Sequence, residues 1–247
     1  MEQIANALTS EHLDWDSRFF GYGVSRIDIQ NADDRTVADE ITRLQDRGSE
    51  LIYVFSPRLL ALDGFDAVLV DRKLSYVLSE PHFRPVDRTV ESVLRASEPL
   101  YELGCQAGGH SRYKVDPRIG EHDFRRLFRL WIDNSVSRRF ADHVLAYGQD
   151  GKELGMVTAG RKDDMLSIGL IATDASCRGK GIGSALIQSV INLASESGLK
   201  VEVTTQADNA EACRFYETHG FKVESRTYVY HVWTSRNLNI QNHHDTI

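Results

Sequence analysis

The run Cys177-Arg178-Gly179-Lys180-Gly181-Ile182-Gly183 sets three glycines and two cations between two apolar stretches, "MLSIGLIAT" before it and "GSALIQSVINLASESG" after it. A glycine in an ordered element costs about 0.5–1 kcal/mol relative to alanine, so three in five positions mark a place where something comes close to the backbone. A glycine-rich turn that opens a helix leaves free N–H groups at the positive end of the helix dipole, which suits a phosphate. Arg178 and Lys180 add positive charge beside it. Two phosphate-binding patterns are excluded by spacing. The P-loop needs Gly-x-x-x-x-Gly-Lys-Ser/Thr, and no lysine here satisfies it. A dinucleotide fold needs Gly-x-Gly-x-x-Gly early in a βαβ unit, whereas Ser184 stands where the third glycine would be and the preceding strand closes an antiparallel meander.

The elements around the run follow from hydrophobic period. Phe124, Leu127, Phe128, Trp131 and Ile132 make "EHDFRRLFRLWIDNSV" an amphipathic helix. "HVLAYG", "ELGMVTAGRK" and "MLSIGLIAT" read as three strands, with Gln149-Asp150-Gly151-Lys152 as a hairpin turn. "GSALIQSVINLASESG" is a helix ended by Gly198, "LKVEVTTQ" a strand, "NAEACRFYETHG" a short helix stopped by Gly220, and "FKVESRTYVYHVW" one long or two short strands. Nearer the amino end, "VSRIDIQ", "ELIYVFS" and "AVLVDRKLSYVLS" read as strands, with helices at "TVADEITRLQDRG" and, opened by Pro57, "PRLLALDGF". Residues 84–110, with Pro85, Pro99 and Gly104, Gly108 and Gly109, read as a linker. This gives an α/β chain with an amino-terminal domain at 1–105, a second domain at 106–236 and a tail at 237–247. A loose echo between "LIYVFSP…ALDGFDAVLVDRKLSYVL" and "VEVTTQ…ETHGFKVESRTYVYHV" suggests that the first domain is a related half-fold, and shared β-propensity would give the same look.

Arg178-Gly179-Lys180-Gly181-Ile182-Gly183 matches Arg/Gln-x-x-Gly-x-Gly/Ala, and "TTQADNAEACRFYETHGF" has an asparagine, a helix and a tyrosine before Gly-Phe. With both motifs in order, the chain resembles the GNAT acetyltransferases. The resemblance implies a mixed, mostly antiparallel twisted sheet flanked by helices, with acetyl-CoA as cofactor. It places the diphosphate on Arg178, Gly179, Lys180, Gly181, Ile182, Gly183 and Ser184. The backbone of Leu170, Ile171 and Ala172 would meet the pantetheine and thioester, Asn209 and Ala212 the cofactor arm, and Tyr216 the departing sulfur. Asn209 also reads as an N-cap, and Tyr216 as a core aromatic.

An amine attacking a thioester must be neutral. Backbone N–H groups near Gly169–Ala172 can polarise the carbonyl, and Tyr216 can offer a proton to the thiolate. Reference values of roughly 10 for tyrosine and 8.5 for a thiol make full transfer uphill by about 2 kcal/mol, so Tyr216 reads as a hydrogen-bond donor. His143, His231 and Glu202 are candidate bases by composition alone, and a water chain serves equally well. "LDWDSRFFGYGVSRI", "SRYKVDP", "WIDNSV" and "VESRTYVYHV" further resemble the branch of the family that acetylates dTDP-linked 4-amino-4,6-dideoxygalactose. That implies a nucleotide amino sugar as acceptor, with Arg112, Tyr113, Asn134 and Arg138 as its candidate contacts. Each also reads as an ordinary surface or interdomain residue. Trp15, Phe19 and Phe20 could form an acceptor platform or plug the domain interface. Another primary amine (a peptide N-terminus, a polyamine or an aminoglycoside) and a non-catalytic acyl-CoA-binding regulator are the alternatives. A basic acceptor groove would favour the sugar nucleotide, and an acidic one the polyamine or aminoglycoside.

Composition bounds these readings. The 247 residues carry a net charge of −7, are 41% hydrophobic and 26% charged. That balance argues against nucleic acid or an anionic membrane as the main partner. No apolar run approaches the roughly 20 residues of a membrane span, and no secretion signal is read at the amino end. Three scattered cysteines fit neither a disulfide framework nor a metal cluster, so a reducing cytoplasm and no metal are expected. The adjacent His243 and His244 read as solvated tail, and a homodimer is left open.

Overall fold

A computed structural model describes residues 7–86, 90–149 and 151–234. The chain runs β1 (Leu8–His12), α1 (Asp14–Phe20), β2 (Val24–Ile29), α2 (Asp34–Asp46), β3 (Leu51–Ser56), β4 (Asp66–Leu78), β5 (Val90–Ser92), α3 (Glu98–Ala107) and α4 (Arg112–Val115). It continues with α5 (Glu121–Val136), β6 (His143–Gln149), β7 (Lys152–Lys162), β8 (Met165–Thr173), α6 (Ile182–Ser197), β9 (Lys200–Gln206), α7 (Ala210–Thr218) and β10 (Lys222–Trp233). Asp150 of the expected hairpin turn and the expected tail at 237–247, with His243 and His244, lie outside the described residues.

Two compact units result, Met1–Lys73 with Arg226–Ile247, and Leu74–Ser225. In the first, β2 pairs antiparallel with β1 and parallel with β3, and β3 pairs antiparallel with Tyr228–Trp233 of β10. The apolar stripe of α2, Val37, Ile41 and Leu44, packs onto Ile27, Ile52, Val54 and Val232. Residues 57–65, expected as a helix, are turn and irregular chain. Their polar groups are held from elsewhere: Ser56 Oγ accepts from Arg58 N–H, and Tyr230 Oη accepts from Leu60 N–H at 3.0 Å. These long-range and side-chain bonds replace an i→i−4 ladder that a short segment after Pro57 would nucleate poorly.

The second unit is built on the antiparallel series β5-β6-β7-β8, with β9 parallel to β8. The mixed sheet has helices on both faces. On one, α6 and α7 pack Leu186, Ile187, Val190 and Tyr216 against Val157, Leu166, Ile168, Val201 and Val203. On the other, α3 and α5 pack Leu100, Leu103, Phe124, Phe128 and Ile132 against Ala146, Met156 and Leu170. Helix α3 occupies part of the stretch expected as linker. Ser97 caps it, accepting from Leu100 N–H at 3.3 Å, and Pro99 sits in its first turn, where no N–H is needed. Among the described residues, no helix is long and apolar enough to cross a membrane.

Candidate active site

The strand before the glycine run does not keep its alternation. Leu166 and Ile168 of β8 face the α6 cluster, yet Leu170 faces the α3–α5 cluster. Between them Gly169 is an extra residue: Ala159 of β7 pairs with Ile168, and Thr158 with Leu170. Such a bulge re-aims every group after it. Leu170 N–H donates to Thr158 Oγ1 at 2.9 Å, and Asp174 N–H donates to Leu154 O at 2.9 Å, so both point toward β7. By strand alternation the N–H groups of Ile171 and Thr173 point the other way, toward β9.

On that side β9 is no longer alongside. The β8–β9 register runs from Met165↔Lys200 to Ile168↔Val203, while both strands continue beyond it. The pair is therefore closed at one end and open at the other, with Ile171 and Thr173 offering donors to the opening. Of the three residues expected to present backbone here, Ile171 has its N–H on this side, whereas the N–H of Leu170 is held by Thr158 and that of Ala172 points toward β7.

From the open end the chain enters the glycine run. Asp174 pins it, accepting from Ser176 N–H at 3.0 Å and from the Ser176 hydroxyl, bonds that hold its carboxyl below the usual aspartate range. Gly179 and Gly181 have φ of +72° and +80°, the left-handed region that L residues with a Cβ enter only with strain. Gly181 is the N-cap of α6 and carries no side chain to cap it. The first intrahelical bond is Ala185 N–H to Gly181 O at 3.0 Å. The N–H groups of Ile182, Gly183 and Ser184 precede it and have no place in the ladder. These amides, with exposed Arg178 at the loop, form a cradle of the kind a diphosphate fits.

Helix α7 brings the second motif to the same unit. Asn209 caps it, its Oδ1 accepting from Ala212 N–H at 3.2 Å. Ala212, Cys213 and Tyr216 follow at three, four and seven residues, one stripe of a helix. Tyr216 is 4% exposed, between Tyr76 and Phe221 at 5.8 Å each and Phe215 at 5.5 Å. Burial, and then nearby Cys213, push its phenol well above the ordinary tyrosine value. Tyr76 donates its proton to Glu217 Oε1 at 3.0 Å, and it too is raised, chiefly by burial.

The expected acceptor contacts divide. Arg112 and Tyr113 come together in α4, the guanidinium 4.6 Å over the ring and donating to its hydroxyl. Arg138 is exposed, with φ +64°, in the turn after α5. Asn134 is instead turned inward: it is 7% exposed, and Oδ1 accepts from Arg139 Nη1 at 3.2 Å. Its carbonyl accepts from the N–H groups of Arg139 and Phe140, closing a helix end whose last carbonyls need donors. None of the three candidate bases lies at the open β8–β9 edge. His231 is fully buried against Tyr53 in the first unit, His143 sits opposite Ala159 on β6, and Glu202 opposite Ser167 in the closed half of the strand pair. Trp15, Phe19 and Phe20 form an aromatic run in the first unit, continued by Tyr22 and Trp233. Sequence reasoning missed Thr158 and Tyr76. The signal for Thr158's partner was present, because a lone glycine in a strand pattern marks a bulge.

Residues 110–221 match the model of the Acetyltransferase (GNAT) family. The chain is 28% identical over 141 residues to the spore coat polysaccharide biosynthesis protein SpsD of Bacillus subtilis (strain 168), a match covering 57% of this chain and 48% of that one. It is 32% identical over 108 residues to the mycothiol acetyltransferase of Brachybacterium faecium, covering 41% and 30%. The chain thus spans less than half the length of either curated relative. A GCN5-related N-acetyltransferase from Sphaerobacter thermophilus shares the fold, with a TM-score of 0.59 at 15% identity over 91% of this chain and 76% of that one. The opened strand pair, the amide cradle and the capped helix with its buried tyrosine fall within the matched span. The likeness to the acetyltransferase (GNAT) family is thus carried by residues 110–221.

Proposed function

We propose that the chain is an acetyl-CoA-dependent N-acetyltransferase whose acceptor is the amine of a nucleotide-linked amino sugar of the dTDP-4-amino-4,6-dideoxyhexose type, in surface polysaccharide synthesis. The observation that carries the acyl-transfer reading is the Gly169 bulge, which turns the Ile171 N–H to an edge that β9 has left. Acetyl-CoA, when bound, supplies an activated thioester and a thiol leaving group. Arg178, Lys180 and the N–H groups from Gly179 to Ser184 would hold its diphosphate, and Asn209 and Ala212 its pantetheine arm. The Ile171 N–H is preorganised to donate to an oxygen that gains negative charge as an amine adds. Tyr216, whose proton burial retains, serves as a hydrogen-bond donor to sulfur.

The likeness to a spore coat polysaccharide biosynthesis protein supports the sugar acceptor. Arg112 stacked on Tyr113 supplies a cation and an aromatic face of the kind that a nucleotide diphosphate and a sugar ring use. The likeness to a mycothiol acetyltransferase favours a second reading, a small-molecule acceptor of another class. Thiol release from acetyl-CoA, measured against dTDP- and UDP-amino sugars, polyamines, aminoglycosides and peptides, separates them. Release with dTDP-4-amino sugars supports the first reading. Release only with peptides or polyamines overturns it.

A further inference from the structure

A cleft of about 670 Å³ lies along the outer side of α6. It begins at Gly181 and Ser184, continues past Gln188 and ends at Ile191. One wall is the stretch 80–86, which lies outside the residues that match the family. Two side-chain amides of α6 bind this stretch as a neighbouring strand would. Asn192 Oδ1 accepts from Arg84 N–H at 2.9 Å and its Nδ2 donates to Arg84 O at 2.8 Å, while Gln188 Nε2 donates to His82 O at 3.2 Å. Gln188 Nε2 also donates to Asn192 Oδ1 at 2.9 Å, which ties the two amides together. The segment is thereby a strap fixed to the helix, with exposed His82 and Arg84 lining the cleft. The opposite wall carries His219, whose Nδ1 bonds to Phe215 O at 2.7 Å and fixes the ring. Glu80 is the one carboxylate in the lining.

We propose that this cleft takes the 3′-phosphoadenosine end of coenzyme A, with Arg84 contacting the 3′-phosphate. The inference rests on the acetyl-CoA reading above and extends it to a segment outside the matched domain. Continuity supports it, because the cleft starts at the amides that would hold the diphosphate. The ten steps along α6 from its N-cap Gly181 to Ile191 span about 15 Å, room for a ribose and a purine. Its volume is in the range of roughly 300–1,000 Å³ usual for small-molecule sites. The donors fit as well: a planar guanidinium and two imidazole rings line the cleft against one carboxylate, and a guanidinium suits an anionic phosphate.

The test is calorimetry on the full chain with coenzyme A, 3′-dephospho-coenzyme A and dTDP, using the wild type, Arg84→Met and Glu80→Gln. Arg84 is exposed, so the methionine variant keeps the fold. It should weaken coenzyme A by about 10-fold and change 3′-dephospho-coenzyme A by less than about 2-fold. Glu80→Gln should tighten coenzyme A by roughly 2- to 3-fold. Equal losses for the two coenzymes, no loss for either, weaker coenzyme A in Glu80→Gln, or a loss confined to dTDP would each overturn the proposal. A wild-type chain that binds neither coenzyme would refute the acetyl-CoA reading itself, a result distinct from an Arg84→Met chain that binds both normally.

Discussion

Replacing Tyr216 by phenylalanine removes one oxygen from a ring that is 4% exposed and leaves its contacts with Tyr76, Phe215 and Phe221 in place. With reference values near 10 for a phenol and 8.5 for a thiol, handing the proton fully to the leaving sulfur is uphill by about 2 kcal/mol. Burial raises the phenol further and widens that gap. What the hydroxyl can contribute is therefore a hydrogen bond to a sulfur gaining charge, worth about 1.5–3 kcal/mol. Through the rate equation this is roughly a 10- to 150-fold loss of kcat, with the KM for acetyl-CoA little changed. The raised phenol also fixes the pH behaviour. Tyr216 stays protonated as pH rises to about 10, so no alkaline fall in kcat below that point belongs to it. In the stability curve its contribution is fully present below the unfolded value of about 10 and is lost above it, because there the unfolded chain releases the proton first. Tyr216→Phe should accordingly flatten the loss of stability above pH 10. The assay is single-turnover acetyl transfer across pH 6–10, with thermal melts as the fold control. Wild-type turnover in the variant, with the chemical step shown to limit the rate, would refute the reasoning.

At the bulge, a Cβ on Gly169 would sit 3.0 Å from Thr158 Oγ1 and 3.8 Å from Trp131 Nε1. Gly169→Ala should displace the bond that turns Leu170 away, lowering kcat/KM while destabilising the chain by about 1–2 kcal/mol in a denaturant melt. On α6, a Cβ on Gly183 meets nothing closer than 3.5 Å. Gly183→Ala, which the Gly/Ala position of the motif admits, should therefore fold at least as stably as the wild type, whereas the β-branched Gly183→Val should weaken coenzyme A in calorimetry, and unchanged affinity in Gly183→Val would count against the cradle. Asn209→Ala should lose about 1 kcal/mol of stability with its cap and raise the KM for acetyl-CoA. Asn209→Ser should recover the stability but not the KM if the amide also meets the cofactor arm.

Much of the second unit was legible because its elements are amphipathic at a single period. Phe124, Leu127, Phe128 and Ile132 announce α5, and the buried residues of β7 and β8 announce the meander. Helix α3 was hidden behind residues that usually break helices. Pro99 falls in the first turn, and Gly104 sits where a Cβ would come within 2.9 Å of Ile132 Cγ1, so the glycine serves a close approach to α5. The expected helix at 57–65 failed for the converse reason, since its apparent start at Pro57 competes with bonds from Ser56 and Tyr230. At the site, the amide cradle and the α7 cap are local in sequence and could be read directly. The inward turn of Asn134 depends on where Arg139 folds back, and the strap depends on Gln188 and Asn192, more than 100 residues away. Such pairings leave no local pattern.

The extra residue in β8 also fixes what the strand can tolerate. Because it exchanges inside for outside, Leu166 and Ile168 before Gly169 face the α6–α7 cluster while Leu170 and Ala172 after it face the α3–α5 cluster. Removing Ala172, with Thr173 kept opposite Gly155, would do more than shorten the strand. It would restore strict alternation, turn Leu170 out of the α3–α5 cluster, and swing the Ile171 amide back toward β7. The opening between β8 and β9 is thus encoded as a parity, an odd count in one strand against an even count in its neighbour.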